Sequence, residues 1–194
     1  MRRDTYTTKP LTSSFLSCEK DTETILRKLF VECRPYSEKL IRLLVLPTKD
    51  CLDNTSNQQY IDKVQSMSVA KLREEGYIIL EPRIDMQEHE NVKAYIIISF
   101  DNFIPNGTNP QFRDCTINFD IICHTRYWDI GDFRMRPLKI VGYIDGILNQ
   151  TKLSGIGTFQ FAGCSELILN EELAGYTLSY WAVHGSDDQI PAQE

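Results

Sequence analysis

The sequence predicts an α+β fold: a mostly antiparallel sheet covered by helices on one face, with a helical N-terminal region. Three observations point there. Apolar residues recur at helical spacing between residues 21 and 76. From Tyr77 onward the pattern shifts to short β-branched and alternating runs. One amphipathic helical segment, beginning near Pro137, then interrupts those runs. No break in composition divides the 194 residues, so the expectation is a single domain over 1–194. Within it lie an extended arm (1–20), a mainly helical region (21–76), a sheet-and-helix core (77–184) and an acidic tail (185–194).

In chain order, the first twenty residues are polar, with Lys9-Pro10 in their middle. Asp21-Thr22-Glu23-Thr24 resembles a helix start, where acidic side chains meet the positive end of the helix dipole. Ile25, Leu26, Leu29 and Phe30 supply its apolar stripe, and Pro35 ends or kinks it. Ser37-Glu38-Lys39 starts a second helical stretch with Leu40, Ile41, Leu43 and Leu44, stopping before Pro47. The run Leu43 to Leu46 also fits a short buried strand. Tyr60, Val64, Met67, Ala70 and Leu72 predict one helix to about Glu75, with Gly76 as its stop. Tyr77 to Leu80 and Val92 to Phe100 read as strands around an acidic loop at 85–91, and Asn102 to Pro110 reads as a long loop.

Arg113 to His124 alternates with period two, placing Cys115, Ile117, Phe119, Ile121 and Cys123 on one face. Pro137 suits the first turn of the next helix, whose stripe is Leu138, Val141, Ile144, Ile147 and Leu148. Thr151 to Gly157 is a turn. Thr158 to Leu169 and Leu173 to His184 read as strands joined through Asn170-Glu171-Glu172. Three consecutive strands with short or loop-sized links favour antiparallel pairing.

Composition excludes several functions. Formal net charge is −6, which argues against a broad nucleic-acid surface. Met1-Arg2-Arg3 and Arg134-Met135-Arg136 are short basic candidates. Six cysteines occur without a CxxC pair, so no zinc ribbon is expected. The opening residues lack an apolar signal segment, and the cysteines are expected to be reduced thiols. No apolar run has the length of a membrane helix. Cys123 and His124 are strand neighbours that point to opposite faces and cannot share an ion. Among His89, His124 and His184, an enzyme reading places His124 or His184 as general base near Asp129 or Asp187. No nucleophile elbow, HExxH or phosphate loop accompanies them. A ligand-binding reading uses a strand face near Tyr176, Tyr180 and Trp181. No catalytic, cofactor or metal residue is assigned.

The loop from Thr125 to Arg136 is the strongest candidate. Arg126, Tyr127, Trp128, Phe133 and Arg134 are of the kinds that dominate contact energies, and Asp129 and Asp132 suit ion pairs across subunits. Two readings stand: Trp128 and Phe133 close over the end of the core, or the loop is a subunit contact. On the second reading the interface comprises Arg126, Tyr127, Trp128, Asp129, Asp132, Phe133, Arg134 and, from the 102–110 loop, Asn106.

The ordered set "FDIICHTRYWD", helix "RPLKIVGYIDGILNQ", turn "LSGIG" and strand "ELAGYTLSYWAV" resembles the tail terminator (tail completion) proteins of long-tailed bacteriophages. The resemblance covers about half the chain. It implies a ring, usually of six subunits, seated on the last disk of the tail tube, stopping tube growth and offering a surface to the head-side connector. The implied partners are the chain itself, the tail-tube protein and a head-closure or connector protein. Genomic DNA would pass through the lumen without specific binding, and neither cofactor nor membrane is implied. The implied location is the virion, at the head–tail junction, after assembly in the host cytoplasm. Neighbouring readings are a head-closure (neck) or tail-tube protein; from another class, a small hydrolase or ligand-binding module.

Overall fold

The computed structural model describes residues 15, 18–80, 94–108 and 112–184. The expected arm through residue 14, the 85–91 loop with His89, and the tail with Asp187 and Asp188 lie outside these residues. The element order is α1 (Cys18–Arg27), α2 (Tyr36–Val45), α3 (Gln58–Gln65), α4 (Val69–Glu74), β1 (Ile78–Ile79), β2 (Ala94–Pro105), β3 (Arg113–His124), α5 (Arg136–Leu148), β4 (Lys152–Leu153), β5 (Gly157–Thr158), β6 (Gln160–Ile168) and β7 (Leu173–His184). The fold is α+β, with a five-stranded sheet in the order β1-β2-β3-β7-β6.

Helix α1 begins at Cys18, one turn before the expected start, and continues into a wider π turn over Lys28–Glu32. Asp21, expected in the first turn, is buried. The chain turns at Pro35, and α2 runs on through Val45, so Leu43 to Leu46 is not a strand. The single helix expected over 60–75 is two. Ser68 caps α4 by accepting the Lys71 N–H, and Asn57 caps α3. Each cap satisfies helix-start donors, and the one at Ser68 divides the segment.

The sheet is mostly antiparallel. β2–β3, β3–β7 and β6–β7 are antiparallel, but β1 runs parallel to β2, with Ile78 opposite Ile96. A parallel pair needs a link of about a dozen residues to return the chain, and residues 80–93 are that long. β2 extends through the segment expected as a loop, as far as Pro105. A bulge between Asp101 and Ile104, with Asn102 at φ +54°, lets it do so.

The alternation along β3 holds. Ile117, Phe119, Ile121 and Cys123 are buried on the face shared with Ile96, Ile98, Leu178 and Tyr180. The helices and this face share one buried apolar cluster, from Ile25 and Leu40 through Phe119 to Ile144 and Leu178. On α5 the buried side is Pro137, Ile140, Ile144, Ile147 and Leu148. The expected stripe is thus turned toward Ile140, and Leu138 faces outward. The opposite sheet face is polar along its middle, where Thr177 bonds Asp120 (2.6 Å) and Ser179 bonds Asn118 (2.7 Å). Tyr180 lies in the core and Trp181 on the other face, so the aromatic strand face expected for ligand binding is split by the pleat.

Two positions fix the end of β3 that leads into the loop. Gly175 lies opposite Ile122. A Cβ there would sit 1.7 Å from the Ile121 carbonyl oxygen, so only glycine permits this approach. Arg136, expected on a basic surface patch, is instead 1% exposed. Its guanidinium donates to the carbonyls of Tyr127 (2.8 Å), Leu43, Leu46 (2.9 Å) and Thr48 (2.8 Å). The last three are carbonyls at and beyond the end of α2 that the helix leaves without partners, and the negative end of the helix dipole favours a cation there.

Candidate contact surface

The loop after β3 is a braced hairpin. A 3₁₀ turn over Thr125–Tyr127 leads out of His124, whose Nδ1 accepts the Arg126 N–H at 3.2 Å. Trp128 turns inward. Its indole N–H donates to the Cys123 carbonyl (3.3 Å), its ring lies 6.4 Å from that of Tyr176, and it packs against the core. Ile130 is buried beside it. The chain then doubles back through a bridge between Asp129 and Met135, with Ile130 N–H bonded to Arg134 O (3.0 Å) and Arg134 N–H to Gly131 O (2.9 Å).

The tip consists of Gly131, Asp132 and Phe133, all with positive φ (+81°, +47° and +61°). Glycine takes that conformation freely; for Phe it is a strained one that the surroundings must hold. Two ion pairs hold the hairpin against the segment following α2. Lys49 bonds Asp129 (2.6 Å), and Arg134 forks onto both carboxylate oxygens of Asp53, at 2.9 Å to Oδ1. Asp132 lies 3.6 Å from the same guanidinium. The hydrogen bond and charge of Arg134 hold the Asp53 carboxyl below its ordinary value, and Lys49 with the Gly131 N–H does the same for Asp129.

The outcome of this bracing is that Phe133 is 106% exposed. Met135 and Leu138, its near neighbours in the chain, are exposed as well. The hairpin therefore separates the two aromatics: Trp128 closes over the end of the core, and Phe133 does not. Arg126 and Asp132 are exposed, Tyr127 and Arg134 half-buried. Asn106 stands apart from all of these. It bonds Asp114 (2.6 Å) and the Phe112 carbonyl (3.0 Å) at the start of β3, while the hairpin follows its last residue. Along a twelve-residue strand those ends are about 40 Å apart.

A second exposed apolar region is the outer strand β6 with the residue after it, where Phe161, Ile168 (74% exposed) and Leu169 reach solvent. The alternation of β6 is too weak to separate its exposed face from a core face by sequence alone. Sequence reasoning also missed the partner of His184. The ring Nδ1 lies 2.5 Å from Asp21, and both side chains are buried, at 0% and 1% exposed; Asp187 lies outside the described residues. His124, the other base considered, lies 4.0 Å from Glu172, not beside Asp129. Among the described residues no group of three or more ligating side chains is placed to hold a metal ion, and no helix is long and apolar enough to cross a membrane.

A sequence model of the YomW family matches residues 37–181, about three-quarters of the chain. No curated protein matches. A crystal structure from Akkermansia muciniphila aligns over 94% of this chain and all of its own, at 13% identity and a TM-score of 0.31.

Proposed function

The chain belongs to the YomW family, a phage-derived family, and from that premise we propose that it is a virion protein: the tail terminator, a ring at the head-proximal end of the tail tube. In this role it caps tube polymerisation and joins the tail to the head connector. Its partners are copies of itself, the tail-tube protein and a head-closure or connector protein. DNA passes through the lumen unbound, kept from sticking by the like charge of an acidic chain. The role works by shape and requires no cofactor.

The observation that carries this reading is Phe133, a large apolar side chain fully in solvent at the tip of a hairpin that two ion pairs hold rigid. A strained, braced aromatic does nothing for an isolated chain and suits burial by a neighbour. Met135 and Leu138 extend the same surface. Quantitative mass spectrometry of purified particles tests the assignment. The expected result is a few copies per particle, as for one ring. Many stacked copies would make the chain a tube subunit, and absence from the particle would overturn a virion role.

A further inference from the structure

The cluster joining α1 to the end of β7 has the geometry of a reactive thiol. Nδ1 of His184 lies 2.5 Å from Oδ2 of Asp21, and Nε2 lies 3.6 Å from Sγ of Cys18. The carboxylate accepts the Nδ1–H, which leaves Nε2 as the acceptor facing the thiol. The rings of Phe15 and Phe103 stand 6.2 and 5.6 Å from the imidazole and hold it in place. Burying Asp21 and His184 together carries a desolvation cost that their mutual hydrogen bond has to offset. Cys18 is half-buried and lines a groove of about 660 Å³ that is apolar at Leu26, Val69, Ala70 and Leu80 and charged at Glu19, Glu23, Arg27 and Arg73.

We propose that Cys18, His184 and Asp21 form a nucleophile, a base and a positioning residue that accept an acyl group from an ester or thioester whose chain lies along this groove. The inference is independent of the ring: either stands if the other fails. Burial, together with the charge of Asp21, raises the Cys18 thiol above its ordinary value, so it rests protonated and must lose its proton as it attacks. In the acylation step Sγ forms a bond to the carbonyl carbon, and the thiol proton passes to His184 Nε2. The bond from that carbon to the leaving oxygen or sulfur breaks, and the leaving group departs with the proton. Water then attacks the thioester, His184 takes its proton and returns it to Sγ, and a carboxylic acid leaves.

The test uses the full chain with p-nitrophenyl butyrate, reading nitrophenolate release and the acylated cysteines by peptide mass mapping. Cys164, the exposed thiol, is the internal reference, and buried Cys115 reports loosening. Cys18 is expected to acylate about 100-fold faster than Cys164, the low end of what a positioned base contributes. Cys18→Ser abolishes the fast release. Asp21→Asn removes the carboxylate charge and lets an amide N–H face Nδ1, so the His184 tautomer is no longer fixed; it brings the Cys18 rate down to that of Cys164 while Cys164 and Cys115 stay as they were. Equal rates at Cys18 and Cys164 in the unaltered chain would overturn the proposal, as would an Asp21→Asn rate matching the original. Should that variant loosen the fold, Cys115 becomes labelled, and the ratio in the unaltered chain decides alone.

Discussion

The hairpin after β3 has a root and a tip, and the two solve opposite problems. At the root, Arg136 is buried with four carbonyls around one guanidinium, and Trp128 closes the core over Tyr176. Two residues earlier, Arg134 makes its bonds at the surface, to Asp53. It holds in place a tip whose largest side chain touches little of its own molecule. The root invests its polar contacts in stability, whereas the tip invests them in keeping one conformation of an exposed aromatic. Similar residue types two positions apart thus serve folding in one case and presentation in the other.

The largest expected effect lies at the root. Arg136→Met strands buried carbonyls of α2 and its following turn, and should cost about 3–5 kcal/mol in denaturant unfolding. A loss as small as that of a surface substitution would erase the contrast between root and tip. Gly175→Ala drives a methyl into the Ile121 carbonyl, so either β7 shifts or the strand pair opens. A loss of about 2–4 kcal/mol is expected, with calorimetry as the check. Trp128→Ala follows, at about 2–3 kcal/mol for a half-buried ring. A variant that melts normally but fails to assemble would put Trp128 in the contact instead of the core.

The ion pairs at the tip sharpen the comparison through pH. Asp53 and Asp129 have folded-state values below the ordinary 3.8. Their contribution is therefore present above that value and is lost as pH falls through the depressed folded values. Carboxyl carbon shifts should titrate with midpoints under 3.8; midpoints at or above it would mean the braces are not formed in solution. The smallest effect on stability belongs to Phe133→Ser. Unfolding should change by less than about 0.5 kcal/mol, while incorporation into particles falls sharply. A variant that assembles normally would remove Phe133 from the contact.

Much of the sheet was legible because period-two alternation in β3 and the run in β7 directly report a face buried on one side. The helix over 136–148 was legible from its proline and its stripe, although the stripe could not show which of Leu138 and Ile140 faced inward. What the sequence hid was set by distant partners. Arg136 reads as one of two neighbouring cations, and only the fold reveals that the end of α2 waits for it. Asp21 reads as a helix-start acid, since nothing near it in the chain mentions His184, which is 163 positions away. The parallel placement of β1 was hidden because a two-residue pairing carries no orientation in its composition. The loop itself was found by its residue types, but the opposite fates of Trp128 and Phe133 depend on three successive left-handed residues that composition does not reveal.

The most direct measurement is electron imaging of the intact particle at a resolution that traces the chain. The account predicts a single ring of this protein where the tube meets the head, with the hairpin at residues 129–135 pressed against a neighbouring subunit and Phe133 buried in that contact. Finding the chain outside the particle, or in a ring with Phe133 still in solvent, would contradict it.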